Sequence, residues 1–268
     1  MPHIALATID GIELSYRVAG DDGRPAIVLI HGYTGNTRNW ALQIKPLIGA
    51  GWRSLSADNP GHGASAAPVE LAAYEFGSVA RVLHQLAVAL DFAPAVICGH
   101  SMGGAIAEEY VLRFPQDVRA LVLVGSAGGA SGPERAAMGD GIDALRAAYA
   151  KGGMTAVYDA RPADSTLSDA QHKLLRDEFS RTSWPAYEFA GIALRTRRET
   201  LTGLAGWRKP TLIVHGENES DSLKKVAADL ALTIRGAEHV VIPSAGHSPQ
   251  FENPVVFNAT LLNFLARV

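Results

Sequence analysis

The sequence of 268 residues lacks most features that mark disulfide-stabilised, membrane-spanning or nucleic-acid-binding proteins. Its single cysteine, Cys98, excludes an intrachain disulfide. A formal net charge of −3 gives no support for binding to nucleic acid. No apolar run is long enough to cross a bilayer, and the N-terminus lacks the basic and apolar segments of a signal peptide. We therefore expect a cytoplasmic protein with neither nucleic acid nor a membrane as its partner.

Apolar side chains are abundant, at 47% of the residues against 19% charged, which is ordinary for a globular protein. After an N-terminal pair of alternating stretches joined by Asp10-Gly11, short apolar runs alternate with helical patterns. The runs are residues 26–30, 95–98 and 118–124, and they resume at 211–214 and 240–242; residues 53–57, which are less apolar, are predicted as a further strand of the series. Such alternation predicts an α/β fold with a mostly parallel central sheet flanked by helices.

The alternation stops between residues 127 and 206, where several short helical patterns occur and no strand is convincing. A single helical interruption predicts a core of residues 1–126 and 207–268, with residues 127–206 inserted after the sixth strand as a helical lid. The insertion is rich in aromatic side chains. We expect some of them to line an apolar acyl pocket, with Trp184, Tyr187 and Phe189 as the candidates.

The most informative motif is Gly99-His100-Ser101-Met102-Gly103, which follows an apolar run and precedes a helical pattern. A serine on such a strand-to-helix turn has a strained backbone and an exposed hydroxyl. The two glycines are needed because a Cβ at either position would collide with the neighbouring strand or helix. The motif predicts Ser101 as a nucleophile, which requires a base and an acid elsewhere in the chain.

Among the nine histidines, His247 is the candidate base. It lies in a loop between the last predicted strand and the last predicted helix. In an open α/β sheet, the loops at the carboxyl ends of the strands meet at one crevice. Because Ser101 also lies on such a loop, we predict that His247 takes the proton of the serine hydroxyl.

The acid that orients the base is expected between the serine and the histidine in chain order. The loop after the strand that ends at Val214 holds Glu217, Glu219 and Asp221. At least two of these three carboxylates must be solvated, and the pattern alone leaves the choice open.

The oxyanion hole of a serine hydrolase needs two backbone N–H groups that point to one position. One is predicted to be that of Met102, which follows the nucleophile. The other is predicted in the loop after residues 26–30, where Gly32 and Gly35 allow a tight turn and Tyr33 is the expected donor.

Four motifs together resemble those of the α/β-hydrolase superfamily, and the resemblance runs nearly from end to end. They are residues 31–35, 58–65, 99–104 and 246–248. Within the superfamily, the chain resembles the small, lidded group of serine esterases and lactonases. The resemblance implies the α/β-hydrolase fold with a lid after the sixth strand, and it implies that the Asp58–Ser65 loop is structural.

In this group the acid usually falls three residues past the glycine that follows the seventh strand. That glycine is Gly216, so the resemblance implies Glu219 at a position where aspartate is typical. Asp221 remains its rival, although it lies where the next helix should begin and is better placed to favour the N-terminus of that helix.

These residues predict a serine hydrolase that cleaves a carboxylic ester or lactone through an acyl-enzyme, with Ser101, His247 and Glu219 as its triad. We expect a small-molecule substrate and no metal or organic cofactor, because no His, Asp or Cys cluster has ligand spacing. Three alternatives remain: a carbon–carbon bond hydrolase, a cofactor-free perhydrolase, and a small-molecule receptor with vestigial hydrolysis. The oligomeric state is not indicated.

Overall fold

The computed structural model describes residues 4–129, 142–161 and 169–268. Its strands form one sheet in the order β1-β2-β4-β3-β5-β6-β7-β8. The strands are β1 (Ile4–Ile9), β2 (Ile12–Ala19), β3 (Ala26–Ile30), β4 (Arg53–Ala57), β5 (Ala95–His100), β6 (Val118–Val124), β7 (Thr211–Gly216) and β8 (Glu238–Ile242). Only β2 pairs antiparallel with its neighbours, β1 and β4. The remaining pairs are parallel, which confirms the predicted mostly parallel sheet.

Helices flank the sheet. They are α1 (Ala41–Gly49), α2 (Phe76–Ala89), α3 (Met102–Arg113), α4 (Ile142–Asp159), α5 (Asp169–Phe179), α6 (Trp184–Thr196), α7 (Leu201–Leu204), α8 (Asp221–Thr233), α9 (Pro249–Glu252) and α10 (Pro254–Leu265). Helix α8 begins at Asp221, where the sequence predicts the start of a helix, and the Ser220 side chain caps it by accepting from the amide of Leu223. Helix α4 is interrupted by non-helical backbone at Gly152 and Gly153.

The central strands are buried on both faces. Ile30 and Ile97 belong to one apolar layer, whereas Leu29 and Cys98 belong to the layer on the opposite face. Side chains alternate between the faces of a strand, so this division explains the uninterrupted apolar runs. Burial also raises the pKa of the Cys98 thiol well above its usual range, as expected of a core side chain.

Strand β3 lies next to β5, with Ile30 paired to Gly99. This register brings the loop that follows β3 to the same sheet edge as the turn that follows β5. The adjacency of these two strands brings the loop with Tyr33 beside Ser101.

The described part of the inserted segment is helical. Side chains from α4, α5 and α6 form a small apolar cluster that contains Met154, Val157, Phe179 and Tyr187 and that contacts Tyr33. Residues 130–141 and 162–168 of the predicted lid lie outside the described residues, so the boundaries 127 and 206 stay a prediction. Within the described ranges, no helix has both the length and the apolar composition needed to cross a bilayer.

Candidate active site

Ser101 lies on the turn between β5 and α3, with φ of 53° and ψ of −118°. A positive φ is strained for a residue with a side chain, and such strain persists only where the surroundings impose it. Here the surroundings are β6 and the loop after it. The Ser101 amide donates to Val124 O at 2.9 Å, and the Ser101 carbonyl accepts from the Ala127 amide at 3.0 Å.

The glycines of the motif allow the helix and the strands to approach this turn. A Cβ on Gly99 would lie 2.0 Å from the carbonyl oxygen of Gly103. A Cβ on Gly103 would lie 2.3 Å from the carbonyl oxygen of Ile30, at the end of β3. Both distances are far below van der Waals contact, which confirms the predicted reason for glycine at these two positions.

A chain of hydrogen bonds joins Ser101, His247 and Glu219. Nε2 of His247 lies 2.9 Å from Oγ of Ser101. Nδ1 of His247 lies 2.6 Å from Oε2 of Glu219. An ionised carboxylate can only accept, so the geometry assigns the hydrogen to Nδ1 and leaves Nε2 able to accept the serine proton. The structure thus brings together the three residues that the sequence suggested for a triad.

The surroundings of Glu219 favour its ionised form. Burial by itself raises the pKa of this carboxyl, but the hydrogen bond and charge of His247 lower it. The amide of Ser220 also donates to Oε1 at 2.8 Å. Together these interactions outweigh burial and hold the pKa of Glu219 below its ordinary value. An ionised Glu219 can stabilise a positive imidazole of His247.

The other two carboxylates of this loop have different positions. Asp221 is exposed in the first turn of α8, where a negative charge favours the helix N-terminus. Glu217 is exposed and its Oε2 accepts from the Ser244 amide at 2.9 Å. Of the three candidates, Glu219 is the one that forms a hydrogen bond with His247.

The two predicted oxyanion donors flank the nucleophile. Met102 follows Ser101 directly, and a Cβ on Gly32 would lie 3.2 Å from Cβ of Ser101, which places the loop with Tyr33 against the serine. Within residues 4–129, 142–161 and 169–268, neither the Tyr33 nor the Met102 amide N–H donates a hydrogen bond. Both amides therefore keep a hydrogen that no described group accepts.

The predicted pocket residues all lie on α6. Tyr187 stacks on Tyr33 with ring centroids 5.5 Å apart, and the Tyr33 hydroxyl donates to the Tyr187 carbonyl. Trp184 packs on Tyr187 at 5.7 Å. Phe189 contacts Tyr74, at 5.6 Å between ring centroids, and packs on the main core. The structure therefore connects Tyr187 to the loop after β3 and brings Trp184 beside Tyr187, whereas Phe189 contacts the core of the protein.

Three residues with contacts to the site were missed by sequence reasoning. His100 Nε2 lies 2.9 Å from the carbonyl oxygen of His247. Glu252 accepts from the amides of Gly246 at 2.5 Å and Ser248 at 2.8 Å, on either side of His247. A Cβ on Gly125 would lie 3.1 Å from the His247 carbonyl oxygen. Their signals were a histidine inside the serine motif, a carboxylate five residues past His247, and a glycine at the end of a strand.

The loop from Asp58 to Ser65 has structural contacts, in agreement with the resemblance. Asp58 accepts from the amides of Thr37 at 2.8 Å and Ala64 at 3.0 Å. His62 is buried with its Nδ1 3.0 Å from the Pro60 carbonyl oxygen, and burial together with the nearby His31 lowers its pKa to about 3. Across the described part of the chain, no group of three His, Cys, Asp or Glu side chains could hold a metal ion.

A family profile described as the alpha/beta hydrolase fold matches residues 25–254, which is most of the chain. The chain belongs to this family. This α/β-hydrolase is 29% identical to the 2-hydroxy-6-oxononadienedioate/2-hydroxy-6-oxononatrienedioate hydrolase of Klebsiella pneumoniae subsp. pneumoniae, over 92% of this chain and 88% of the relative. The solved structure of the enol-lactonase from Burkholderia xenovorans LB400 matches with a TM-score of 0.85 and 26% identity, over 98% of this chain and 100% of that one.

The esterase from Exiguobacterium antarcticum has a similar structure, with a TM-score of 0.82 at 21% identity, over 99% of this chain and 100% of that one. At this identity the likeness shows the fold alone. The family match, the Klebsiella relative and the enol-lactonase together show that the chain is a hydrolase of the α/β fold.

Proposed function

We propose that this α/β-hydrolase cleaves a carboxylic ester or lactone through an acyl-enzyme on Ser101. The observation that supports this most is the continuous hydrogen-bond chain from Ser101 through His247 to Glu219, with heavy-atom distances of 2.9 and 2.6 Å. A serine hydroxyl is a weak nucleophile until a base accepts its proton. The enol-lactonase relative favours an ester or lactone as the bond cleaved.

In the proposed first step, Oγ of Ser101 bonds to the substrate carbonyl carbon while its proton moves to Nε2 of His247. The carbon–oxygen bond to the leaving alkoxide then breaks, and that oxygen takes the proton from His247. Water next attacks the acyl carbon and gives a proton to His247. The bond to Ser101 breaks as this proton returns to Oγ, which leaves a free carboxylic acid and the original enzyme.

Each charged intermediate has a proposed partner. The amides of Tyr33 and Met102 donate to the oxyanion, and one such donor contributes about 3 kcal/mol to the stability of the transition state. Glu219 holds the hydrogen on Nδ1 of His247 and stabilises the positive imidazole. The ionised form of Glu219 is the one that its hydrogen bonds favour.

We also propose that side chains of α6 bound the acyl group, with Trp184, Tyr187 and Phe189 as the candidates. The support is strongest for Tyr187, because it stacks on Tyr33, whose amide is a proposed oxyanion donor. Trp184 packs against Tyr187 and is therefore a candidate for the same side of the pocket. Phe189 has the least support, since its described contacts are with Tyr74 and the core.

The test of the proposed function is turnover of a simple nitrophenyl ester by the wild type and by Ser101→Ala. Loss of Oγ is expected to lower kcat by a factor of about 10⁴ or more while the fold is retained. A serine-directed phosphonate should label the wild type at Ser101. Activity of Ser101→Ala at the wild-type level, or a stop near one turnover per protein, would overturn the proposal; the second result would favour a receptor.

A second candidate is hydrolysis of a carbon–carbon bond in an oxo-dienedioate. It is favoured by the 29% identity to the Klebsiella relative, whose name gives such a compound as its substrate. Both candidates use the same triad, so only substrate comparison separates them. A panel of linear esters, lactones and an oxo-dienedioate, ranked by kcat/KM, decides: preference for the dienedioate by orders of magnitude would favour the second candidate.

A further inference from the structure

We propose that His100 is a positioning residue, which holds the imidazole of His247 against Ser101 by binding the main chain of His247. The inference rests on the proposed serine hydrolase function. It assigns a task to the residue between the glycine and the serine of the Gly99–Gly103 motif, a task distinct from nucleophile, base and acid.

The contact of His100 is with the peptide group of the proposed base. Its Nε2 lies 2.9 Å from the carbonyl oxygen of His247. A carbonyl oxygen only accepts, so Nε2 of His100 carries a hydrogen and donates it. The two imidazole rings are also close, with centroids 5.0 Å apart and a tilt of 48°. His100 therefore restrains His247 both through the backbone and through ring contact.

The place of His100 in the fold makes this restraint useful. His100 is the last residue of β5, and Ser101 follows it. The hydrogen bond therefore connects the strand that carries the nucleophile to the loop that carries the base, across 147 positions of the chain. Glu252 has a different task, because its bonds to Gly246 and Ser248 fix the internal conformation of that loop.

The charge state of His100 also suits the task. The side chain is nearly inaccessible, at 7% exposure. Burial and then the charge of nearby His247 lower the pKa of His100 to about 3. The ring is therefore neutral at neutral pH. A neutral donor can bind the His247 carbonyl without repelling the positive charge that the His247 imidazole acquires during the reaction.

The experiment compares two variants of nearly equal size, His100→Gln and His100→Met. Glutamine can present an N–H near the position of Nε2, whereas methionine fills similar space without a donor. Both are measured as kcat per active site, with the sites counted by titration with the phosphonate. Because the titration counts competent sites only, loss of folded protein lowers the count and leaves kcat per site unchanged.

We expect His100→Met to lower kcat per site by a factor of about 10², since small misplacement of a catalytic group has effects of this size, with little change in KM. His100→Gln should stay within about fivefold of the wild type, because the donor is retained. The control is His62→Gln, another buried histidine with a pKa near 3, whose ring contacts are with His31 and Pro60. It should leave kcat per site unchanged.

Two results would overturn the positioning role: an unchanged kcat per site in His100→Met, or equal loss in His100→Gln and His100→Met. If His100→Met gives no titratable sites, His100→Asn replaces it, because the shorter amide does not extend to the His247 carbonyl. Ser101→Ala separates the two proposals. If Ser101→Ala is active, the serine mechanism itself is refuted. If Ser101→Ala is inactive and His100→Met has the wild-type kcat per site, only the role of His100 is refuted.

Discussion

Two buried glutamates, Glu219 in the proposed triad and Glu108 on α3, have pKa values that shift in opposite directions. Burial raises the pKa of each and is the largest effect on both. At Glu219 the hydrogen bond and the charge of His247 outweigh the effect of burial, so the pKa is lowered. At Glu108 the hydrogen-bond donors are hydroxyls and an amide, the charge of Arg197 has the smallest effect, and the pKa stays raised. The two pKa shifts differ in sign because the hydrogen-bond partner of Glu219 can itself become charged.

The contacts of Glu108 lie near both ends of the predicted insertion. Oε1 accepts from the Ser126 hydroxyl at 2.8 Å, and Oε2 accepts from the Gly129 amide at 2.8 Å, both just after β6. Oε2 also accepts from the hydroxyl of Thr200, just before α7. Glu108 thus joins the entry and the exit of the insertion to the helix that follows Ser101.

The same type of side chain therefore has two different roles in this protein. Glu219 must be ionised to stabilise a positive imidazole, whereas Glu108 needs only its shape and its hydrogen-bonding atoms to hold two loops. Replacement by glutamine keeps the shape and removes the charge. Glutamine should therefore be damaging at Glu219 and tolerated at Glu108, and the following predictions test this contrast.

The largest expected effect is that of Glu219→Gln on catalysis. Loss of the charge and of the correct imidazole tautomer should lower kcat by a factor of about 10³ to 10⁴. Asp221→Asn is the matched control, because Asp221 follows the same strand. It should lower the free energy of unfolding by at most about 1 kcal/mol, since it removes a negative charge from the first turn of α8. Kinetics and thermal unfolding of both variants check this. If Asp221→Asn lost activity and Glu219→Gln kept it, Asp221 would be the acid of the triad in place of Glu219.

The next effect concerns stability at Glu108. Glu108→Ala leaves the hydroxyls of Ser126 and Thr200 without this acceptor, and each unsatisfied buried group costs about 1–3 kcal/mol. The Gly129 amide keeps a second acceptor, Oγ1 of Thr200, at 3.1 Å. Glu108→Gln retains one acceptor oxygen and offers a donor that Ser126 can accept, so its cost should be about 1 kcal/mol. Urea unfolding of both variants measures the difference. Equal destabilisation would show that the charge of Glu108 is essential.

The sequence was sufficient to predict the sheet and to select the candidate triad, and the physical reasons can be named. Strands buried on both faces, such as Ala26–Ile30, appear as continuous apolar runs, and parallel strands bring their following loops to one edge. Ser101 and His247 lie on such loops, so their meeting could be expected. The choice between Glu219 and Asp221 needed a family spacing, because both carboxylates follow the same strand.

Other features depended on contacts that no local pattern encodes. The bond from His100 to the His247 carbonyl joins residues far apart in the chain, and the reach of Glu252 depends on how the loop folds back onto α9. Likewise, nothing in the sequence near Glu108 predicted that Thr200 would share its carboxylate.

The smallest effect tests the charge state of Glu108 directly, through the pH dependence of stability. A carboxyl whose pKa is raised by folding contributes stability that is fully present below its ordinary value of 4.5 and is lost as pH rises through the folded pKa. Glu108→Gln cannot titrate there. The free energy of unfolding of the wild type minus that of Glu108→Gln should therefore fall as pH rises above 4.5, by at most about 1.4 kcal/mol per pH unit.

Glu219 should show the opposite sign in the acid range. Because its pKa is lowered by folding, its contribution is present above 4.5 and is lost as pH falls through the folded pKa. Urea unfolding of wild type and Glu108→Gln between pH 4 and pH 8 isolates the Glu108 contribution. If the difference instead grew with pH, Glu108 would be ionised in the folded protein, and the contrast between the two glutamates would fail. A falling difference would mean that burial dominates at Glu108, whose described hydrogen-bond donors are two hydroxyls and an amide.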